Sequence, residues 1–224
     1  MKIFLRASLI LCALFSIPAQ ADVTIGATRV IYPGGAKDAT ITVENANSDA
    51  PFLIQSWVRS DNASAEEVPF IVTPPLFRLN ARQKNVLRII NTGGNLPQDR
   101  ESLFWLNIKA IPTSVPEDQQ NKLVLAVKSE FKLIYRPKAL TQKPEDVTDK
   151  LRWQQQGGRL IVNNPTAYYM NLANVTVGGV KIKEARYLAP FSNDQFSLPS
   201  GAHGQVTWAL INDFGGTGPQ HKQP

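Results

Sequence analysis

The chain has 224 residues, of which 43% are hydrophobic and 19% charged, and its formal net charge is +6. Its basic residues are scattered, with no run of five or more, so the composition argues against a nucleic-acid partner. Its single cysteine, Cys12, lies within the first 21 residues. A chain that has lost those residues can form neither disulfides nor cysteine metal sites.

The N-terminus has the pattern of a secretory signal peptide. Lys2 and Arg6 precede an apolar run from Ala7 to Ile17, and residues 19–21 supply a cleavage site of the A-x-A type. This run is shorter than the roughly 20 residues that span a bilayer, and no later segment approaches that length. We therefore predict removal of residues 1–21, export without membrane insertion and a periplasmic location, which suits a protein without disulfides.

The first half of the remaining chain consists of short runs in which apolar and polar residues alternate. In chain order they are TIGATRVIY, DATITVEN, PFLIQSWVRS, FIVTPPLFRL, NVLRIIN, SLFWLNIKAIP and KLVLAVKSEFKLIYRP. Clusters of Gly, Pro, Asn and Asp separate them, as is typical of β-strands and turns. No window has a helical period over three turns, so we predict an all-β protein.

A polar segment, residues 138–150, separates this half from a second set of runs. The second set is LRWQQ, RLIVNN, YYMNLANVTV, VKIKEARYL, QFSL and QVTWALIN. Each half has about seven strands in about 100 residues, the count of an immunoglobulin-like sandwich. We predict two such sandwiches in series, residues 22–142 and 143–224. A single large barrel is the alternative, which Pro137 and Pro144 disfavour because proline interrupts strand pairing.

Sequence motifs of catalysis are lacking. The two histidines, His203 and His221, have no partner at metal-ligand spacing. There is no G-x-S-x-G, H-E-x-x-H or P-loop motif, and GGTG at residues 215–218 lacks the Lys-Ser/Thr of a phosphate-binding loop. We predict that the protein is not an enzyme and holds no metal or cofactor. A periplasmic hydrolase stays an alternative for which no residues can be named.

The run from Lys122 to Pro137 predicts an unusually long strand. Its odd positions are almost wholly apolar, while its even positions carry Lys128, Glu130, Lys132 and Arg136. An amphipathic edge strand whose charges meet water would explain this pattern. However, the strand would run roughly 50 Å, far beyond a typical sandwich strand, and a bare apolar edge of that length would aggregate. We therefore predict that it pairs with a partner.

Six blocks of the sequence resemble the PapD-like periplasmic pilus chaperones. They are GATRVIY, TPPLFRL, LPQDRESLFWLNIKAIP, FKLIYRP, NNPTAYY and INDFGG, and they cover nearly all of the chain after residue 21 in order. The resemblance implies two immunoglobulin-like domains set at an angle, in an L shape. It also implies binding, folding and capping of pilus subunits by donor-strand complementation, and their delivery to the outer-membrane usher, without ATP or a cofactor.

The resemblance assigns the subunit-binding roles to residues of this chain. Arg29 and Lys132 match the pair that anchors the C-terminal carboxylate of the subunit, a role that suits two neighbouring cations. Leu123, Leu125 and Val127 match the donor-strand side chains that enter the groove of the subunit. On their own, these five residues would be interpreted as solvated charges and as part of the domain's own core.

Two further groups of residues are implied by the resemblance. Arg88, Glu101 and Asp213 match an interdomain charge network in which one arginine lies between two carboxylates, a structural role. A contact with the usher would involve TPPLFRL, for which a turn with an apolar plug is an equal alternative. Its residues of interest are Pro74, Pro75, Leu76 and Phe77.

Some features narrow the resemblance or depart from it. The segment PTSVPEDQQN, residues 112–121, is short, which predicts the short-loop subclass of the family. The second domain lacks the disulfide that some relatives carry. Self-association of the free protein through the long strand is left open by the sequence. The alternative function is an immunoglobulin-like surface or adhesive protein, although the sequence has neither an anchor nor an assembly strand of its own.

Overall fold

The computed structural model describes residues 23–47, 50–61, 68–113 and 124–223. The predicted signal peptide, Leu123 and most of the predicted short loop lie outside the described residues. Within the described ranges the regular structure is almost entirely β-sheet, which confirms the predicted fold class.

The first domain is a sandwich of two sheets. The smaller sheet has the order β1-β3-β7-β5, and the larger has the order β2-β9-β8-β4-β6. Strands β1 to β9 are Val23–Ile25, Arg29–Pro33, Ala39–Asn45, Phe52–Ser60, Phe70–Thr73, Leu76–Leu79, Lys84–Asn91, Ser102–Pro112 and Val127–Arg136. Alternate residues face the space between the sheets, where Val43, Ile89, Leu106 and Leu133 are among the buried members of one core.

The second domain is another two-sheet sandwich with a core of its own. It begins with a one-turn helix α1, Pro144–Val147, and a 3-10 turn, Thr148–Lys150. The sheets are β10-β11-β15 and β13-β12-β16-β17, with β14 also paired to β12. Strands β10 to β17 are Arg152–Gln156, Arg159–Asn164, Met170–Val177, Val180–Lys181, Tyr187–Leu188, Ser192–Ser197, Val206–Ile211 and Thr217–Lys222. Two separate cores rule out the single-barrel alternative.

Strand β9 differs from the long edge strand predicted from the sequence. It begins at Val127, so it is shorter than the strand predicted from Lys122. It pairs with β8 from Val127 to Tyr135, but with β2 only from Lys132 to Arg136. The prediction of an edge is therefore wrong for the C-terminal half of β9. We call the remaining stretch, Val127–Phe131, the free edge, because within the described part of the chain it has a sheet neighbour on one side only.

The second domain covers the part of the outer face of the larger sheet that lies around the C-terminal half of β9. Leu103 and Ile134 are cross-strand partners on β8 and β9 and are only 5% and 2% exposed, yet neither belongs to the first core. Their neighbour Glu101 donates its backbone N–H to the carbonyl of Ala167 in the second domain, at 2.9 Å. The domains thus share an interface with an apolar centre.

Gly215 lies at this interface, in the turn between β16 and β17. Its φ is +89°, and a Cβ atom there would overlap the hydroxyl of Thr28, next to Arg29. We expect Gly215→Ala to lower the free energy of unfolding by more than the roughly 1–2 kcal/mol that a left-handed conformation costs a residue with a Cβ.

The matched control is Gly201→Ala. Gly201 has a φ of +79° but no atom within 4 Å of its added Cβ, so it carries the backbone strain without the clash. Urea unfolding of the two variants measures the difference. Equal losses of stability would show that the approach to Thr28 contributes nothing.

Candidate functional site

The two predicted anchor cations lie side by side at the domain interface. Arg29 opens β2 and Lys132 lies in β9, and the two are register partners in the parallel pairing of these strands. Adjacent strands are about 4.8 Å apart, and register partners project from the same face. Here that face is the outer one, towards the second domain. The structure therefore brings Arg29 and Lys132 together, and we call these two residues the anchor pair after their predicted role.

The partners of the anchor pair are neutral groups of the second domain. Arg29 donates from Nη1 to the carbonyl of Ile211 at 3.3 Å, and its buried Nε has no hydrogen-bond partner among the described residues. The Lys132 ammonium donates to Oδ1 of Asn171 and lies 4.1 Å from the centre of the Tyr187 ring. Across the described ranges, no carboxylate lies within ion-pair distance of either cation.

The electrostatics of the anchor pair favour an incoming anion. Burial, followed by the charge of Arg29, lowers the pKa of Lys132 to about 8, while Asp61 opposes the shift. Burial also lowers the pKa of Arg29, against the effect of Asp213. Both shifts mean that the folded protein holds these positive charges at a cost. A carboxylate bound between them would supply the missing opposite charge and accept charge-assisted hydrogen bonds.

The free edge carries exposed apolar side chains towards its N-terminal end. Val127 is 65% exposed, and Leu125, just before the strand, is 68% exposed. They border a groove of about 280 Å³ whose other walls include Val23, Ile25 and Ile108. Of the three predicted donor residues, two are therefore accessible to a partner, and Leu123 lies outside the described residues.

The other charges near the free edge are paired with one another. Glu130 is 3.1 Å from Lys128 and 3.3 Å from Arg59 on β4, the strand beyond β8, and all three side chains are partly exposed. Lys128 and Glu130 therefore behave as solvated charges, as the sequence predicted. Lys132 differs from them in its burial and in having neutral partners.

The interdomain charge network forms around a different arginine from the one predicted. Arg88 pairs with Asp38 at 3.1 Å, and its side chain is 60% exposed. It lies on β7 in the smaller sheet, which does not carry the domain interface, so its assignment to the network was wrong. The arginine between the carboxylates is Arg136 at the end of β9, bound to Glu101 and Asp213.

Arg136 joins the two domains through a buried network. Its Nε donates to Glu101 at 2.6 Å, and its Nη1 and Nη2 donate to the two oxygens of Asp213 at 2.8 and 3.0 Å. The side chain of Glu101 is fully buried, and its second oxygen accepts the backbone N–H of Tyr169 at 2.7 Å. Burial raises the pKa of Glu101, and Arg136 opposes that shift. The network therefore depends on the guanidinium to keep this carboxylate ionised.

The predicted usher segment links the two sheets of the first domain. The Thr73–Pro74 bond is cis, and the carbonyls of Pro74 and Pro75 accept hydrogen bonds from Ser56 at 3.1 and 2.8 Å. Phe77 packs against the core, whereas Leu76 is exposed. The segment is thus anchored as a turn with an apolar plug and also presents Leu76 at the surface.

The sequence could indicate some of these residues but not others. Arg136 lies on the same face of its strand as Lys132, just before the polar segment that separates the domains. This position favours Arg136 as the arginine of the interdomain network. Asn171 and Tyr187 were missed altogether. They lie in the second domain, and no sequence pattern predicts that they reach Lys132.

Comparisons with known proteins identify the family. Residues 22–141 match the model of the N-terminal domain of PapD, a pili and flagellar-assembly chaperone, and residues 146–222 match that of the PapD C-terminal domain. The chain is 41% identical over 204 residues to the chaperone protein FimC of Escherichia coli K12, covering 90% of this chain and 84% of FimC. The chain therefore belongs to the PapD-like pilus assembly chaperones.

Two solved structures have the same two-domain fold at high identity. A structure of the Salmonella enterica SafA pilin in complex with the SafB chaperone matches with a TM-score of 0.84 and 44% identity, covering 92% of this chain and 98% of the matched one. The Escherichia coli chaperone DraB matches with a TM-score of 0.81 and 45% identity, covering 90% and 95%. Among the described residues of the present chain, no helix is long and apolar enough to cross a membrane.

Proposed function

We propose that this protein is a periplasmic chaperone that captures a pilus subunit, completes its fold with β9 and delivers it to the outer-membrane usher. The observation that carries the proposal is the arrangement along β9. Exposed apolar side chains on a free strand edge lead directly to two cations that have no carboxylate partner among the described residues. The chaperone family of the chain supports a role of this kind, which is not enzymatic.

The pairing of β2 with β9 supports one direction for a bound subunit strand. The parallel pairing begins at Arg29 and Lys132, where the free edge ends. A subunit strand whose terminal carboxylate binds the anchor pair would occupy the free edge as a continuation of β2. It would therefore run parallel to β9, and its backbone would pair with groups of β9 that have no partner on that side.

Apolar burial would supply much of the affinity. With its carboxylate bound to the anchor pair, a subunit that lacks its last strand would cover the exposed side chains of Leu125 and Val127. Full burial of such a side chain contributes roughly 1.5–3 kcal/mol. The relative SafB is named in a complex with a pilin, which supports capture of a subunit by the same surface here.

Val127→Ser tests this use of the free edge. We expect it to weaken subunit binding about tenfold or more, because the apolar area that the subunit would cover is lost. Stability should change by less than about 0.5 kcal/mol, since the side chain is exposed in the free protein. The measurement is the dissociation constant for a subunit encoded beside the gene, together with the thermal midpoint of the free variant.

The control is Val124→Ser, because Val124 is also exposed but has the opposite parity in the chain. Equal losses of affinity in the two variants would contradict the donor-strand assignment. Cell fractionation tests the location of the protein separately. Recovery from the periplasmic fraction is expected, whereas recovery from the cell surface would favour the adhesive alternative.

A further inference from the structure

The second domain supplies two adjacent side chains to the Lys132 ammonium. Asn171 lies on β12 and Tyr187 on β14, and the two are register partners. The amide oxygen of Asn171 accepts a hydrogen bond from Lys132, and the face of the Tyr187 ring lies beside the same charge. Asn171 is only 5% exposed, so its amide group is buried within the interface. A cross-strand pair of the second domain thus orients a cation of the first.

The acidic group that influences Lys132 electrostatically is bound to another partner. Asp61, just after β4, accepts a hydrogen bond from the indole N–H of Trp105 at 2.6 Å, and Trp105 is the β8 neighbour of Lys132. Asp61 also raises the pKa of Tyr187, after the larger effect of burial, which places its charge near the phenol. The ammonium is therefore oriented by a carbonyl oxygen and an aromatic face, neither of which removes its charge.

We propose that Asn171 is a positioning residue of the carboxylate anchor, which holds the Lys132 ammonium beside Arg29 without neutralising it, with Tyr187 as the second support. This inference rests on the proposed function of the anchor pair. A lysine side chain has four rotatable bonds, so ordering it before the ligand arrives removes a cost from binding. An acidic residue at position 171 would also order Lys132, but its carboxylate would bind the ammonium in place of the carboxylate of the ligand.

The proposal predicts a characteristic response to pH. Among the described residues, the groups that act on Lys132 are Arg29 from β2, Asp61 after β4, and Asn171 and Tyr187 from the second domain. The Tyr169 ring lies beside that of Tyr187, at 6.0 Å between the ring centres. Burial raises the pKa of both phenols, that of Tyr169 to about 12, so neither ionises near pH 8. Lys132 loses its charge as the pH rises through about 8, and carboxylate binding should weaken in the same range.

Substitutions of Asn171 should move this response in opposite directions. Asn171→Ala removes a hydrogen bond to the charged form of Lys132, so its pKa falls and binding weakens at lower pH. Asn171→Asp adds an adjacent negative charge, so the pKa rises. Binding should then be weak but nearly independent of pH in the range where the wild type loses affinity. A merely structural role for Asn171 would change the affinity without moving the pH profile in these two directions.

The experiment uses the full protein and a ten-residue synthetic peptide with alternating Val and Thr, as the free acid and as the C-terminal amide. Wild type should bind the acid more tightly. Asn171→Asp should reduce that preference about tenfold or more, as in the loss of a charge-assisted hydrogen bond. Asn163→Asp is the control, because it adds the same charge on a different sheet of the second domain.

The outcomes distinguish failure of the anchor pair from failure of the positioning role of Asn171. If wild type binds acid and amide equally, the anchor of the proposed function fails. If wild type prefers the acid and both Asn171 variants keep its affinity and pH profile, the positioning role is wrong. Should Asn171→Asp not fold, Asn171→Ala and Tyr187→Leu decide the question. Unchanged acid preference and pH profile in both would overturn the proposal.

Discussion

Lys132→Ala should lose the capture of subunits while the protein stays folded. A charge-assisted hydrogen bond to the subunit's carboxylate contributes about 1.5–3 kcal/mol, so affinity should fall roughly 10- to 150-fold. The same loss is expected for Arg29→Ala. The thermal midpoint of Lys132→Ala should stay level or rise, since the variant no longer holds a partly buried cation whose described partners are neutral. Isothermal titration with subunit and circular dichroism melting measure the two effects.

Lys128→Ala is the matched control for this prediction. Lys128 lies on the same face of the same strand, but it is exposed and pairs with Glu130. Exposed ion pairs contribute about 0–1 kcal/mol, so this substitution should leave capture nearly unchanged. If the Lys128 and Lys132 variants lost affinity equally, general attraction between a basic surface and the subunit would replace the specific anchor.

Arg136→Ala should have the largest effect on stability. It leaves the fully buried Glu101 side chain without its cation, and breaking a buried pair in this way costs about 3–5 kcal/mol. Because Arg136 also binds Asp213, the contact between the domains should weaken. Subunit capture should then fall as well, since the groups that orient the anchor pair come from the second domain. Urea unfolding and the binding titration provide the measurements.

The control for Arg136 is the arginine that the resemblance had placed in the network. Arg88→Ala removes an exposed ion pair with Asp38, and its stability should change by no more than about 0.5 kcal/mol. A smaller loss of stability for Arg136→Ala than for Arg88→Ala would contradict the assignment of Arg136 to the interdomain network. Arg136→Lys should fall between wild type and Arg136→Ala, because an ammonium keeps the charge but cannot reproduce the planar fork.

Local sequence patterns were sufficient to predict the strands and the two sandwiches. Alternation sets which residues of a strand share a face, so Leu125 and Val127 were correctly separated from Lys128 and Glu130. Arg29 and Lys132 were paired by resemblance, and the parallel register then placed them together. Their site assignment as a whole stays a prediction until binding is measured.

Other features depended on contacts that alternation does not specify. Arg88 and Arg136 both lie on strands among apolar residues, and alternation alone does not indicate which sheet meets the second domain. Only the position of Arg136 beside the polar segment between the domains favours it. The length of β9 also depended on its neighbours, because its pairing with β8 begins only at Val127. The sequence could not predict the role of Asn171 for the same reason, because Asn171 contacts Lys132 only when both domains have folded and packed.

The register between Arg29 and Lys132 has a consequence for the range of proteins that this chaperone can serve. If the anchor pair holds the last carboxylate of a bound chain, every other residue of that chain is counted backwards from its end. One extra residue at that end would turn the apolar side chains of the bound strand to the opposite face, and a second would restore them. Subunits of quite different sequence are then equivalent to the chaperone, provided that their apolar residues lie at matching distances from the C-terminus.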